Sequence, residues 1–276
     1  EALQRHQAAD AARAKRIAAV AREIHGKVAT AIGAMQIGDI TRQRLEHVAS
    51  GIQALAPAER TALHSTTHGV GELIRAALDA GAERLLLTLG GSATNDGGAG
   101  MLAALGARLL DGNGGDLPPG GAALAELAEL DLSGLDPRLA DLRVEAAVDV
   151  DNPLLGARGA SAVFGPQKGA TPEEVARLDA ALARCADVTA AALGEEHREL
   201  PGAGAAGGMG FAARAFLGAE LRPGIELIMA QAGFEALLAE ADLGITGEGQ
   251  LDGQSLAGKT PIGVARAAHA RGVPVA

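Results

Sequence analysis

A glycine-rich segment that follows a short apolar run constrains this chain more than any other feature of its sequence. The run Arg84–Leu89 is short and apolar, which is typical of a strand covered on both faces. Leu89–Met101 then reads LGGSATNDGGAGM, and its glycines let the main chain turn and approach a ligand closely. Helical spacing resumes with Met101, Leu102 and Leu105. This order predicts a strand, a loop and a helix.

The polar groups of this loop suit an anion or a polyhydroxylated acid. Free backbone N–H groups at the start of a helix attract negative charge. The candidate substrate- or phosphate-binding residues here are Gly90, Gly91, Ser92, Thr94, Asn95 and Asp96. The same spacing also fits a glycine-rich turn that Asn95 or Asp96 caps, without any ligand.

The composition favours a globular protein and disfavours several classes of function. With 276 residues, 48% of them hydrophobic, the chain is long enough for a substantial core. It has no apolar run of about eighteen residues and its first 30 residues carry charges throughout, so we expect no membrane span and no secretory signal. A net charge of −10 and an aromatic content of 1% disfavour a nucleic-acid partner. The single Cys185 allows no internal disulfide, and we expect a cytoplasmic protein.

Residues 1–60 differ in character from the rest of the chain. They carry nine Lys or Arg, six Asp or Glu and four of the 39 glycines. Apolar residues recur at helical spacing from Ile17 to Met35 and again from Leu45 to Leu55, which predicts two long amphipathic helices or one broken helix. We therefore expect residues 1–63 to be an α-helical segment of separate origin, through a natural fusion or a mis-joined gene prediction. Its apolar stripe predicts possible self-association through residues 1–56.

From Thr66 onward, short apolar runs alternate with helical patterns, which indicates an α/β protein with some parallel sheet. The predicted strands are Arg84–Leu89, Val144–Val150, Ser161–Phe164 and Ala241–Thr246. The predicted helices are Gly71–Ala80, Gly100–Leu110, Pro172–Leu193, Gly208–Leu217, Gly224–Ala232 and Pro261–Arg271. Thr171 is predicted to cap the longest helix. Residues 111–136, rich in Gly, Pro and Asp, are predicted to be a surface connection.

Carboxylates close the predicted strand that begins at Val144. Alternation along a strand sends Asp149 and Asp151 to one face. Together with Asn152 they form a pattern of hard oxygen ligands that suits Mg²⁺. Asp151 and Asn152 are therefore candidate metal ligands, and Asp149 is a candidate catalytic carboxylate. The alternative is a turn before Pro153, where Asp and Asn are common for backbone reasons.

A phosphate-loop pattern, G-x-x-x-x-G-K-T, spans Gly253–Thr260. The preceding predicted strand ends near Thr246 and few residues follow, so the phosphate-loop fold itself is not predicted. Lys259 still stands at a predicted helix start, where phosphate is stabilised, or is a plain surface charge. Asp252 and Lys259 are candidate catalytic residues, and Glu248 is a candidate binding residue. The alternative is that Glu248 and Asp252 are exposed loop carboxylates without a role in the reaction.

Two further segments could reach a ligand. Gln167 and Lys168 lie on a loop before the predicted helix capped by Thr171, where a lysine can reach a carboxylate or a phosphate. The commoner fate of a lysine is the solvent-exposed surface. The glycine-rich segment Pro201–Gly210 either approaches a ligand closely or forms a hinge.

Five ordered motifs of this chain resemble those of the bacterial glycerate kinase family. They are Leu89–Met101, Asp149–Leu154, Phe164–Thr171, Pro201–Gly210, and Ile245–Asp252 continued by Gly258–Pro261. The resemblance runs from about Ser65 to Ala276. It implies two α/β domains and an enzyme that uses ATP to phosphorylate a hydroxyl of D-glycerate. Phosphoryl transfer of this kind also needs Mg²⁺.

Two departures from the family pattern shape the expected architecture. The usual opening strand with a loop of the type P-D-S-F-K-G-S is absent, and the chain stops at Val273–Ala276 inside a predicted strand. We therefore expect an incomplete two-domain glycerate-kinase-like fold in residues 64–276, after the helical segment 1–63.

Two functions stay open at this point. The first is ATP-dependent phosphorylation of D-glycerate. The second is a catalytically silent fragment of such a kinase fused to a helical signalling or oligomerisation segment. The second draws on Gln36–Val48, which is weakly similar to helices of chemotaxis-type signalling proteins.

Overall fold

A computed structural model describes residues 61–247 and 260–276 of the chain. The chain divides into two units, Glu1–Ala56 and Pro57–Ala276. All described residues belong to the second unit. The helical segment predicted for residues 1–63 and its self-association therefore lie outside the described residues, apart from 61–63.

Helices and strands alternate along the described residues, as expected of an α/β protein. The helices are α1 (His68–Asp79), α2 (Ala99–Ala104), α3 (Ala160–Phe164), α4 (Pro172–Leu193), α5 (Ala205–Leu217), α6 (Gly224–Gln231), α7 (Phe234–Leu238) and α8 (Thr260–Ala270). The strands are β1 (Arg84–Thr88), β2 (Arg108–Leu110), β3 (Glu129–Asp131), β4 (Arg143–Ala147) and β5 (Glu220–Arg222). Short 3-10 helices span Gly121–Glu126, Pro137–Ala140 and Pro166–Lys168.

A parallel sheet of three strands, in the order β1-β4-β5, organises the larger core. β4 lies in the middle, with Val144 opposite Leu85 and Ala146 opposite Leu221. Buried side chains of α1, α2 and α5 pack with the strands, among them Ile74, Met101, Leu102, Ala212 and Leu217. Burial of these apolar groups is the main favourable contribution to folding in this region.

The three parallel strands end at the same edge of the sheet. Beyond the strands proper, the Leu89 N–H donates to the Ala147 carbonyl at 3.0 Å, and the Val148 N–H donates to the Arg222 carbonyl at 2.8 Å. The loops that follow β1, β4 and β5 therefore leave the sheet side by side. In open α/β sheets, ligands bind at this edge.

A smaller core lies between α4 and a two-stranded antiparallel ribbon. β2 pairs with β3, with Leu109 opposite Leu130. Leu124 and Leu182 are fully buried in the same cluster. α4 begins with the predicted cap, because the Thr171 hydroxyl accepts from the Glu174 N–H and the Glu174 side chain accepts from the Thr171 N–H.

Several predicted elements are confirmed to within a few residues at their ends, and others are wrong. Ser161–Phe164 was predicted as a strand and is part of α3, because a short apolar run does not distinguish the two. The helix predicted for Gly100–Leu110 ends at Ala104, and the chain turns at Gly106, with φ +106°, into β2.

Two other predictions need correction. Residues 111–136 are not a surface connection, because they contain β3 and the fully buried Leu124 and Leu127. Ala241–Thr246 does not form a full strand, but part of it pairs in parallel with the last residues: Gly244 bridges Val275, and the Thr246 N–H donates to the Ala276 carbonyl at 3.0 Å. The short elements β5 and α7 were not predicted, since three to five residues carry little periodic signal.

Gly98 provides a test of how tightly the loop after β1 is packed. It has φ +80°, and a Cβ there would overlap the Ala212 Cβ. Gly114 has φ +79°, yet a Cβ there would meet nothing within 4 Å. We expect Gly98→Ala to lower the free energy of unfolding by about 2–4 kcal/mol, because overpacking adds to backbone strain. Gly114→Ala should cost about 1 kcal/mol from strain alone. Equal losses in urea denaturation would contradict this account.

Candidate functional site

The loop after β1 passes from solvent into the interior within a few residues. Gly90 and Gly91 are exposed, Ser92 and Thr94 are half-buried, and Asn95 is fully buried. Gly91 has φ +62°, a conformation that favours glycine. The loop therefore offers backbone and hydroxyl groups to solvent at its start, while its last residues belong to the packed interior.

Asp96 is a buried carboxylate whose contacts are internal. Its Oδ2 accepts from the Thr67 N–H at 2.8 Å, the Thr67 hydroxyl at 2.9 Å and the Gly100 N–H at 3.2 Å. Its Oδ1 accepts from the Gly98 N–H at 3.2 Å. The bonds from Gly98 and Gly100 satisfy donors at the start of α2, where a negative charge is also favoured by the helix dipole. Asp96 thus caps α2, as the ligand-free interpretation of the sequence has it.

Asn95 is held in place by a side-chain hydrogen bond and by close contacts with two glycines. Its side-chain Nδ2 donates to the Ser161 Oγ at 2.9 Å, and both side chains are fully buried. A Cβ on Gly121 would overlap the Asn95 carbonyl oxygen, and one on Gly207 would lie 2.8 Å from the Asn95 Cα. Among the described residues, Asn95 Oδ1 has no hydrogen-bond partner. The residue is therefore fixed and has one unused acceptor.

Lys168 is a partly desolvated cation against the same loop. Its Nζ donates to the Thr94 carbonyl at 2.7 Å. Burial lowers the pKa of Lys168 to about 8, although the nearby Asp96 carboxylate acts in the opposite direction. The neighbouring Gln167 is exposed. Of the two candidates before α4, the lysine is thus the one that contacts the loop after β1.

The loop after β4 carries the candidate carboxylates. Asp149 Oδ1 accepts from the backbone N–H of Gly224, the first residue of α6, at 2.8 Å. Asp151 pairs with Arg158 at 3.0 Å, with both side chains mostly exposed. The Asn152 Nδ2 donates to the Arg158 carbonyl at 2.7 Å. Arg158, which was not selected from the sequence, contacts both candidate metal ligands.

The glycine-rich segment Pro201–Gly210 joins these two loops. The Gly97 N–H donates to the Gly207 carbonyl at 3.0 Å, and the Gly204 N–H donates to the Asn152 carbonyl at 2.9 Å. A Cβ on Gly204 would overlap the Pro153 carbonyl oxygen. The glycines here thus allow a close approach to the protein's own backbone. The sequence analysis considered only a ligand contact or a hinge for this segment.

The described candidates fall into two groups at one edge of the sheet. The loop after β1 and Lys168 form the first, and the loop after β4 forms the second. Glu248, Asp252 and Lys259 lie outside the described residues. Thr67 and Ser161 were not selected from the sequence, because neither lies in a motif. Of the two, only Ser161 could have been noticed, because it is the one polar residue in the apolar run that precedes Phe164.

Metal-binding clusters and membrane-spanning helices are absent from the residues that the structure describes. Within residues 61–247 and 260–276, no group of three His, Cys, Asp or Glu side chains is placed to hold a metal ion. None of the helices in those ranges is both long enough and apolar enough to cross a membrane.

Comparison with known proteins identifies relatives of this chain. The sequence matches the profile of the Glycerate kinase family over residues 8–276. It is 54% identical over 227 residues to glycerate kinase of Bacillus subtilis strain 168, a match that covers 82% of this chain and 59% of that protein. It is 50% identical over 227 residues to glycerate 2-kinase of Escherichia coli K12, covering 82% of this chain and 60% of the relative.

A solved structure agrees with these relatives. A crystal structure assigned as glycerate kinase 2 from Salmonella typhimurium LT2 is 56% identical, with a TM-score of 0.75. The match covers 81% of this chain and 60% of that one. The chain therefore spans about 60% of the length of the relatives that it matches.

The family match also bears on the N-terminal segment. It begins at residue 8 and so includes most of residues 1–63, for which we expected a separate origin. That origin, the boundary at residue 63, the similarity to signalling helices and the two-domain arrangement stay predictions.

Asp96 and Asp111 form a matched pair for testing the buried cap. Asp96 uses both oxygens, whereas the half-buried Asp111 accepts from Asn113 and Gly115 with Oδ1 alone. We expect Asp96→Asn to lower the free energy of unfolding by about 2–3 kcal/mol, because the new NH₂ group faces N–H donors in a buried site. Asp111→Asn should change stability little, since its carbonyl oxygen still accepts both bonds. Similar losses for the two variants in urea denaturation would contradict the proposed cap.

Proposed function

Because this chain belongs to the glycerate kinase family, we propose that it transfers the γ-phosphoryl group of ATP to a hydroxyl of D-glycerate. The observation that carries the proposal is 54% identity to a glycerate kinase over 227 residues, a stretch that covers 82% of the chain. The position of a desolvated lysine at the carboxyl edge of the parallel sheet supports it.

We assign substrate and phosphate binding to the first group of candidates. The proposed binding residues are Gly90, Gly91, Ser92, Thr94, Asn95, Asp96, Gln167, Lys168 and Glu248. Lys168 supplies the positive charge, and its partial burial strengthens its attraction for a carboxylate or a phosphate. Asp96 acts through the cap of α2, which fixes the end of the loop. The exposed Gly90 and Gly91 leave the backbone open to a ligand.

The loop after β4 fits Mg²⁺ that arrives with a nucleotide. Mg²⁺ in kinases uses one or two carboxylates, keeps several waters and binds substrate phosphates. Asp151 and Asn152 are the proposed ligands. The present partner of Asp151 is the exposed Arg158, and an exposed ion pair is weak enough to be exchanged. A bound Mg²⁺ would neutralise charge on the phosphates during transfer.

We propose Asp149, Asp252 and Lys259 as the catalytic residues. The attacking hydroxyl loses a proton, and a carboxylate within hydrogen-bond reach can accept it. Asp149 suits this role because the Gly224 N–H holds one oxygen, while the other has no partner among the described residues. Lys259 is assigned to the transferring phosphate and Asp252 to proton transfer or to the metal.

The direct test is an assay of the 276-residue chain with ATP, Mg²⁺ and D-glycerate. We expect ADP and phosphoglycerate to form in equal amounts. When glycerate is omitted, the chain should form no more ADP than a blank without protein. Binding of ATP and of D-glycerate to the same chain is measured separately by isothermal titration calorimetry. Absence of binding to both ATP and D-glycerate would overturn the proposal, whereas binding without turnover would favour the catalytically silent alternative.

Lys168 gives the proposed site a pH dependence. Its pKa of about 8 means that the ammonium form dominates below pH 8 and is lost above it. We expect the Kd for D-glycerate to rise as the pH is raised from 7 to 9.5, by about tenfold or more. Lys168→Met should weaken binding at pH 7 by about 10- to 100-fold and abolish this dependence.

Arg84→Met is the matched control for Lys168→Met. It removes an exposed cation at the opposite end of β1 from the loop. Its Kd and pH profile should match those of the unmodified chain. A pH profile unchanged by Lys168→Met would contradict the assignment of Lys168.

A further inference from the structure

A side chain, in place of the main chain, completes the pairing between the end of β4 and the start of α6. The Val148 N–H donates to the Arg222 carbonyl at 2.8 Å, as in a regular parallel ladder. The next bond of that ladder would run from the Gly224 N–H to the Val148 carbonyl. The Gly224 N–H donates instead to Asp149 Oδ1, at 2.8 Å. The Asp149 carboxylate is therefore tied to the main chain at the edge where the strands end.

Gly224 contacts the carboxylate of Asp149 closely. A Cβ on Gly224 would lie 3.2 Å from Oδ1 and 3.4 Å from Oδ2. Gly224 itself is buried, whereas Asp149 is exposed. Oδ1 is committed to the Gly224 N–H, and Oδ2 has no partner among the described residues. One oxygen is thus held and the other is unused, on a side chain that a ligand can reach.

The first turn of α6 gives this contact a firm support. Gly224 and Leu227 are the buried residues of the helix. Ile225, the residue after Gly224, lies against α8, because a Cβ on Gly263 would lie 2.8 Å from the Ile225 Cγ2. α6 also packs against α8 along the chain. Gly224 therefore has little freedom to move, and its N–H sets the orientation of Asp149.

We propose that Gly224 is a positioning residue, whose N–H holds Asp149 so that Oδ2 accepts the proton of the attacking hydroxyl of D-glycerate. This role rests on the proposed function, since it takes Asp149 as the proton acceptor. In the reaction, the hydroxyl oxygen bonds to the γ-phosphorus of ATP and its proton passes to Asp149. The bond from that phosphorus to the bridging oxygen breaks, and ADP leaves with that oxygen.

The hydrogen bond matters because an exposed aspartate otherwise turns freely about its side-chain bonds. A proton acceptor must lie within about 2.6–3.2 Å of the hydroxyl oxygen. A misplacement of about 1 Å can cost on the order of 100-fold in rate. Gly224 is the only hydrogen-bond partner of Asp149 among the described residues, so this restraint depends on one N–H group.

The test removes that N–H with Gly224→Pro, and Gly224→Ala is the matched control because both variants add a Cβ. Proline is favoured at the first residue of a helix, and Pro223, with ψ 132°, has the conformation that a following proline requires. The full chain is assayed with ATP, Mg²⁺ and D-glycerate. We expect Gly224→Pro to lower kcat by about 10- to 100-fold and to change the KM for D-glycerate by less than about threefold. Gly224→Ala keeps the N–H, and its kcat should stay within about threefold of the unmodified value.

Two further measurements distinguish positioning from a merely structural role. Calorimetric titration with D-glycerate gives the number of binding sites per chain, and an unchanged number in Gly224→Pro excludes unfolded protein as the cause of a lower kcat. In the Asp149→Asn background, Gly224→Pro should lower kcat no further, because the N–H acts only through Asp149. If Gly224→Pro fails to fold, an ester in place of the peptide bond between Pro223 and Gly224 removes the same N–H without adding a side chain.

The outcomes separate this role from the proposed function. Absence of turnover by the unmodified chain overturns the proposed function and the positioning role with it. Turnover that the chain keeps after loss of the N–H overturns the positioning role alone. An equal loss in Gly224→Ala, or a further loss in the Asp149→Asn background, does the same. A lower kcat that follows the N–H, needs Asp149 and leaves the number of binding sites unchanged supports the positioning role.

Discussion

The buried carboxylate of Asp96 is the interaction on which the arrangement of the site depends. It joins Thr67, immediately before α1, to the first turn of α2, and so ties two helices that pack against each other. A buried charge is stable only if hydrogen bonds compensate for lost hydration, and four of them meet this one. The loop after β1 must therefore end at a fixed place, which lets Asn95 and Thr94 be held with precision by α3 and Lys168.

The two halves of the candidate site differ in how they are held. Thr94 and Asn95 are fixed by buried polar contacts, whereas Asp149 and Asp151 are exposed and each has a single partner among the described residues. This division suits phosphoryl transfer, in which a firm binding wall orients the acceptor and a more open wall receives metal and phosphates. The firm side carries Lys168 and the capping carboxylate of Asp96, whereas the open side carries Asp149, Asp151 and the cation Arg158.

Long periodic segments made the fold class predictable. Short elements and contacts between distant residues could not be predicted. α4 was predicted over its full length, because its cap and its helical periodicity, repeated over 22 residues, are local signals. α3 was mistaken for a strand, since five residues do not show a period. Asp96 was identified by its position in a motif, but its partner Thr67 lies 29 residues away and no local pattern records that contact. The Ser161 contact with Asn95 spans 66 residues and was missed for the same reason.

The contact between Gly97 and Gly207 has a consequence for how such a sequence can vary. Gly207 and Gly208 both have positive φ, and a Cβ on either would collide with the main chain of residues 94–97. Where side chains meet, a larger residue on one surface can be matched by a smaller one opposite. Here main chain packs against main chain, so neither segment has a side chain that could be replaced by a smaller one. Each glycine is therefore required independently, and no second substitution across this contact can rescue the loss of one.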